Sequence, residues 1–444
     1  MLTRMLKMYR FISYYLSKRV HCVVVIMLLF VIFYSINMKH ENLFDTNFTK
    51  IWTDIDFKNG KSLKGNIISS TKHLNVTETS KTFRERIHEM KYILVWTNPR
   101  YTPLVYLGEG QTAFLNRSCA WSNCHVTSDR NLLGDYTEFE AILFNGPELY
   151  HIKYMNDLPK RRYQHQKYVY ANIEAAANYP ICSEFWNSFF NWTWSYRTDS
   201  DLYWPYFSIK DSMNNFIGPK KDMNWINIRN MDPIDEKLQV SLSSKTKAAA
   251  WFASNCETQS LRENFVEELL EKMKLYGLEL DTFGECGKLL QCPRNKMSRC
   301  HRMLDKYYYF YLAFENSISE DYVSEKILHA LLHNTVPVVL GGANYSRFLP
   351  EGAYLNALEL GATKLAQKMY ELIQNPKAYN NFFRWKKYYS YHYTHESPET
   401  DVYCRICEYL NNNKLVNKES VYQHFNHWWT PQRYCSDVIN VKIQ

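Results

Sequence analysis

Residues 310–341 read FYLAFENSISEDYVSEKILHALLHNTVPVVLG, and the period of the pattern changes along them. Residues 310–314 are apolar and aromatic, as a buried strand requires. Glu315, Asn316 and Ser317 break that run as a polar turn. Apolar residues then recur at helical spacing over 321–333, and 336–340 is a second buried strand. A strand–loop–helix–strand unit of this kind belongs to an open α/β sheet, where ligands bind beyond the carboxyl ends of the strands. That end is crowded here with Glu315, Asn316, Glu320, Asp321, Tyr322, Glu325 and Lys326. Within one helix, Tyr322, Glu325 and Lys326 are spaced i, i+3 and i+4 and share a face. A ring, an acceptor and a cation on one face suit a nucleotide's base, sugar hydroxyls and phosphate. A plain capped helix with a surface Glu and Lys fits the same spacing equally well.

Outward from this unit the alternation continues. Residues 248–253 and 278–283 read as strands, with a helix over 260–275 between them, and 365–373 and 378–391 read as closing helices. Upstream, 92–96, 141–144 and 168–171 are buried-strand runs, each ending near a polar turn, and 218–245 is polar and irregular. The expected fold class is α/β, with two Rossmann-like domains facing a cleft. The expected division is a tail over 1–20, an apolar segment over 21–38, a stem over 39–88, a first domain over 89–230, a second over 231–410, and a C-terminal tail over 411–444. The stem is polar and rich in Lys, Thr and Asn, as a spacer would be.

The chain has 444 residues, a net charge of +8, 46% hydrophobic and 22% charged residues. Arg4, Lys7, Arg10, Lys18, Arg19 and Lys39 stand in the first forty residues without an acid, so the body carries only the remainder of the charge. A nearly neutral body lacks the footprint of a nucleic-acid binder. Residues 21–38 are apolar, close to the lower length limit of a membrane span. Five cations precede them and one follows, which predicts a cytosolic N-terminus and a luminal body; a cleaved signal peptide is the alternative. Sequons begin at Asn47, Asn75, Asn116, Asn191 and Asn344. Setting aside Cys22 leaves ten of the eleven cysteines. They suffice for up to five disulfides, while the spacings Cys119/Cys124 and Cys404/Cys407 also suit zinc. The pairing is not readable from the chain.

The segment that opened this section resembles the donor-binding motif of the α1,3-fucosyltransferases, FxxxFENS…DYVTEK…VPVVLG, with Ser324 in place of Thr and its hydroxyl retained. Residues 190–201, FNWTWSYRTDSD, resemble the second signature of that family, and SNCETQSLR, ending at Arg262, resembles its SNC…R segment. The resemblance spans about 167–206, 247–356 and 404–407. It implies a GT-B fold, transfer of fucose from GDP-fucose to a sugar hydroxyl with inversion, and a type II Golgi membrane protein. It also favours disulfides over zinc, with the Cys404/Cys407 pair tied into bridges. No metal is required on this reading, because protein cations handle the diphosphate, although a divalent metal could still stimulate.

Such a displacement needs a base for the acceptor hydroxyl and charge to hold the leaving diphosphate. Tyr168–Ala175 reads YVYANIEA, a strand ending in Glu174. A carboxylate there is ordinarily solvated, but beside a cleft it can be desolvated toward a useful pKa. The resemblance places the base at Glu174, although Ala175-Ala176 departs from the usual ESP-like turn. Glu138, Glu140 and Glu148 are competitors. By the same resemblance Arg262 and Lys326 hold phosphate, Tyr322 lies on the guanine side, Glu325 meets ribose or fucose hydroxyls, and Asn316 shapes the loop or bonds the donor. Asp199 and Asp201 form a DxD-like pair assigned a structural role, as are His301 and His392. The acceptor is read as GlcNAc on glycoprotein glycans. The innermost N-glycan residue is favoured over the antennal one, because the CAWSNCHVTSDR segment resembles invertebrate members. A non-catalytic glycan-binding protein on the same fold is the alternative. A sulfotransferase would need a phosphosulfate loop after the first strand, which Asn98-Pro99-Arg100 does not supply.

Overall fold

The computed structural model describes residues 90–151, 157–287, 292 and 297–435. The tail over 1–20, the anchor over 21–38, the stem over 39–88, Cys22 and the sequons at Asn47 and Asn75 lie outside them. No described helix is long and apolar enough to cross a membrane.

The first sheet contains β1 (Lys91–Val95), β2 (Cys124–Thr127), β3 (Ala141–Asn145), β4 (Lys167–Asn172), β5 (Trp192–Ser195) and β6 (Leu202–Tyr203), in the order β2-β1-β3-β4-β5-β6. Every neighbouring pair is parallel. β3 and β4 are buried at every position, because both faces of a parallel sheet are covered. Their central sequences, AILF and YVYA, are therefore continuous apolar and aromatic runs, with no polar alternation.

After β7 (Ser208–Asp211) and β8 (Phe216–Gly218) the chain builds a second parallel sheet. It runs through β9 (Lys247–Phe252), helix α1 (Arg262–Lys274), β10 (Leu280–Phe283), α2 (Met297–Tyr307), β11 (Tyr308–Phe314), α3 (Glu325–Leu332), β12 (Val336–Leu340), β13 (Leu355–Asn356) and α4 (Ala357–Gln374). The strand order is β10-β9-β11-β12-β13. Both sheets reverse winding direction beside their first strand, so each has a switch-point crevice at its carboxyl edge. In the second sheet it lies between β9 and β11.

The chain then departs from expectation. Residues 378–391 were expected to be helical, but the helix Pro376–Asn380 gives way to a 3-10 segment and then to strand β14 (Tyr389–His392). β14 pairs antiparallel with β7, which pairs with β8. Tyr389 and Tyr391 point inward, 7% and 4% exposed, and Tyr391 Oη donates to Phe348 O at 2.9 Å. Alternating tyrosines favour a strand once an edge is available to pair with, and only the fold supplies that edge.

The end of the described chain returns to the first sheet. Helix α5 (Cys404–Leu410) is tied to it by Cys119–Cys404 and Cys124–Cys407, and Cys182–Cys435 fastens the segment beyond. Cys256–Cys286 and Cys292–Cys300 complete five disulfides, which use all ten described cysteines and leave none of these as a thiolate for zinc. Helix α6 (Phe425–Trp429) fills the sheet's core: Phe425 and Trp429 lie 4.8 and 4.9 Å from the Tyr170 ring, and both are 0% exposed. Of the aromatic stretch His427-Trp428-Trp429, Trp429 is thus a core residue, Trp428 packs at its edge and His427 is exposed. The described residues form one compact unit.

Candidate functional site

The loops at the carboxyl edges of the two sheets meet. On the second sheet the loop after β11 begins with Glu315, 1% exposed. Its carboxylate accepts from Ser324 N at 2.8 Å, Ser324 Oγ at 2.9 Å and Lys326 Nζ at 3.0 Å. Lys326 Nζ also donates to Ser324 Oγ at 2.8 Å. Ser324 occupies the N-cap of α3, yet its side chain makes no cap bond. The hydroxyl that Ser shares with Thr is spent on fixing Glu315 and Lys326. Burial opposes the Lys326 charge, but Glu315 and Glu325 outweigh it and raise its pKa. Glu325 stands 3.9 Å from the same ammonium with its side chain 43% exposed, open to a ligand.

Tyr322 corrects the single-face expectation. The helix begins at Glu325, because Asp321 adopts the left-handed conformation (φ 59°) and ends any continuous helical run. Tyr322 therefore does not share a helix face with Glu325 and Lys326. Its ring is 3% exposed, edge-on to Tyr196 at 5.0 Å and Tyr206 at 6.0 Å, in the seam between the two halves.

Arg262, the first residue of α1, spans the switch point. It donates from Nη1 to Phe314 O at 2.7 Å, at the end of β11, and from Nη2 to Asn255 O at 3.0 Å, beyond β9. The side chain is buried and its pKa is lowered by that burial, against the pull of Glu315 and Glu263. Among the described residues three buried polar atoms of this region lack a partner: Arg262 Nε, Asn316 Oδ1 and Tyr345 Oη. Buried polar groups are ordinarily satisfied, so these three are open to a polar ligand. Leu261 before Arg262 sits at φ 51° and is 58% exposed, a strained and solvent-facing apolar residue on the same rim.

On the first sheet Glu174 follows β4. Its N–H donates to Asn172 Oδ1 at 2.8 Å, but among the described residues its carboxylate accepts no hydrogen bond. Burial pushes its pKa up to about 7; Lys326 pulls it down, and Glu325 and Glu315 push it further up. Glu174 thus lies within Coulombic reach of the groups on the other half. Of its competitors, Glu140 is spent on Tyr92 N at 2.7 Å. Glu148 is raised to about 7 by burial, opposed by Thr97 and Asn98, and stands in the first turn of the helix Gly146–His151 that follows β3. Lys326 does not figure among the charges that shift it.

The DxD-like pair is structural. Asp199 chelates Arg197 at 2.9 Å through each oxygen and accepts from Trp428 Nε1, while Asp201 accepts from Thr193 N and Tyr422 Oη, both at 2.9 Å. The sequon residue Asn191 likewise spends its side chain inside the fold, accepting from Tyr168 N and donating to Ser420 O at 2.8 Å each. His392 bonds Glu396 and Ser390. A hollow lined by Lys247, Gly277, Asp281 and Tyr309 lies at the opposite, amino-terminal edge of the second sheet, away from these groups.

Near Lys326 the rings of His301 and His329 lie 3.8 Å apart, tilted by 33°, with Phe252 at 5.0 Å and His333 at 6.2 Å from His301. Burial drives His301 well below its ordinary value, helped by His329 and His333 against Glu325. Burial, His333 and Lys326 drive His329 down to about 3. His333 bonds Asp305 at 2.7 Å. Unfolding frees both depressed rings to take up protons near 6.5. Their contribution is therefore complete above that pH and is lost progressively as pH falls below 6.5. Chemical unfolding at pH 7, 6 and 5 is expected to show this decline, flattened in His329→Phe.

Sequence comparison leads to the same place. Residues 88–207 match the fucosyltransferase N-terminal domain, and residues 242–428 match the C-terminal domain of glycosyltransferase family 10. Alpha-(1,3)-fucosyltransferase C of Drosophila melanogaster is 34% identical over 70% of this chain and 70% of its own length. Glycoprotein 3-alpha-L-fucosyltransferase A of the same fly is 28% identical over 74% of this chain and 58% of its own. Human alpha-(1,3)-fucosyltransferase 4 is 33% identical over 55% and 42%. A crystal structure of an α1,3-fucosyltransferase with GDP-fucose aligns with 75% of this chain and 92% of its own at 15% identity and a TM-score of 0.45, a loose likeness. Both matched domains carry loops of the site described above, and the chain belongs to the α1,3-fucosyltransferase family of glycosyltransferases.

Proposed function

We propose that this enzyme transfers L-fucose from GDP-fucose to the 3-hydroxyl of GlcNAc on glycoprotein glycans, with inversion, in a GT-B cleft between the two sheets. Glu174 takes the hydroxyl proton as the new C1–O bond forms. The bond from C1 to the diphosphate breaks, and Arg262 and Lys326 stabilise the departing GDP. Glu325 and Asn316 face the donor, and Tyr322 supports their loop from beneath as a buried ring. The observation that carries this reading is a carboxyl raised by burial to about 7, with no hydrogen-bond partner among the described residues, within Coulombic reach of a half-buried lysine on the opposite half.

The innermost GlcNAc of N-glycans is the acceptor we favour over the antennal one, and protein cations do the work that a divalent metal does in other transferases. The basic and apolar N-terminus supports a single-pass type II Golgi membrane protein with its body in the lumen. The chain from about residue 80, secreted and assayed with GDP-fucose against N-glycan core, lactosamine and LacdiNAc acceptors, is expected to modify the core best, with the product linkage read by NMR. Transfer to lactosamine alone would overturn the acceptor assignment. Transfer to none of the three would overturn the acceptor class.

A further inference from the structure

The turn that carries Glu174 reads EAAAN over 174–178, and its three alanines offer no side chain to fix it. Beyond its own bonds from Asn178 N and Tyr179 N to Ala175 O, the turn is held by its surroundings. Glu174 N donates to Asn172 Oδ1 at 2.8 Å and Ala176 N to Tyr196 Oη at 3.0 Å, both within the first half. The next two bonds come from the loop after β11: Ala177 N donates to Ser319 Oγ at 3.2 Å, and Ser317 Oγ donates to Asn178 Oδ1 at 2.7 Å. Ser319 is 1% exposed. Behind it a Cβ on Gly342 would come within 2.9 Å of Ser319 N and O, so the loop reaches this depth only against glycine.

Two residues on, Asp321 is 2% exposed in its left-handed conformation. One carboxylate oxygen accepts from Thr198 N at 3.0 Å and Thr198 Oγ1 at 2.6 Å, and the other pairs with Arg347 at 2.5 Å. Glu320 reaches Arg197 and Arg347 at 3.6 Å each. A non-glycine residue at positive φ is strained and persists only where its surroundings over-determine it; here three charge-assisted bonds do so.

We propose that Ser319 and Asp321 are positioning residues for fucosyl transfer, clamping the Glu174 turn of the first half to the donor loop of the second. The clamp sets one separation between the base and the Arg262/Lys326 pair before any donor binds. This rests on the reading of Glu174 as the base. Positioning errors of about 1 Å can slow a reaction a hundredfold, so the clamp acts on kcat and leaves donor affinity largely alone.

The test uses Ser319→Ala, Thr198→Val and the conservative Thr198→Ser in the secreted enzyme, with Glu174→Gln beside them. Expected are a fall in kcat of about 10- to 100-fold in Ser319→Ala and Thr198→Val, a donor KM within about twofold, and near-normal kcat in Thr198→Ser. The acidic limb of the kcat profile should also move toward the ordinary carboxylate range as the turn opens to water. A lowered melting temperature with kcat and the acidic limb unchanged would make the seam merely structural and overturn the clamp. A fall in kcat without movement of the limb would overturn it as well. Should Ser319→Ala fail to fold, Thr198→Val against Thr198→Ser decides alone. An active Glu174→Gln removes the base reading and the clamp together; an inactive one beside a normal Ser319→Ala removes the clamp only.

Discussion

Glu174→Gln is expected to lower kcat by about 10²- to 10⁴-fold, the usual contribution of a general base, while GDP still binds. Wild-type activity should fall about tenfold per pH unit below pH 7, because the base works only when deprotonated and its pKa lies near 7. The same shift has a consequence for stability with a definite sign. Folding raises this carboxyl from 4.5 to about 7 through burial, so the folded state holds the proton more tightly than the unfolded one. The charged form therefore destabilises the fold, not at all below about pH 4.5 and fully above pH 7. Glu174→Gln is neutral at every pH and should melt higher than wild type at pH 8, with no difference at pH 4. Full activity in the variant, or a melting gain that persists at low pH, would assign the base elsewhere, with Glu148 as the next residue to change.

Lys326→Met should cost about 3–5 kcal/mol of stability as well as activity, because it leaves the Glu315 carboxylate buried without its cation. Ser324 alone would then remain on that carboxylate. The double variant Glu315→Gln/Lys326→Met removes both charges. It should recover most of the lost stability, since a neutral amide can still bond Ser324, but it should recover none of the lost transfer. Urea unfolding and kcat/KM on the wild type, the two single variants and the double variant close the cycle. Recovery of transfer along with stability would show that Lys326 serves only to neutralise Glu315 and has no part in holding the diphosphate.

Much of this was legible in the chain because it rests on local pattern. β12 falls where the run 336–340 placed it, and β4 extends the run 168–171 by a residue at each end. Both are short, apolar and bounded by turn residues. Glu174, Arg262, Asn316, Glu325 and Lys326 lie on the loops and helix starts beyond the strands, where parallel sheets put ligands. What escaped depends on partners distant in sequence. Asp321 looks like an ordinary N-terminal helix residue until Thr198 and Arg347 hold it in a left-handed turn, which removes Tyr322 from the helix. Tyr389 to His392 is indistinguishable from helix until β7 offers an edge. Glu315 stood among the crowded polar residues without an assigned role, yet it is the buried anion that fixes Lys326. Its burial, which no residue spacing reports, was the missing signal.

The return of the C-terminal segment to the first sheet sets an order of events during biosynthesis. A ribosome delivers Tyr170 and Phe190 long before Phe425 and Trp429, the rings that cover them. Cys119, Cys124 and Cys182 likewise emerge some 250 to 285 residues ahead of their partners. Until residues 404–435 are made, the first half carries an open aromatic face and three reactive thiols close enough in sequence to pair wrongly. Its folding is therefore completed only after residues 425–435 have emerged. A truncation before Phe425 should then be as damaging to the first half as a lesion within that half itself.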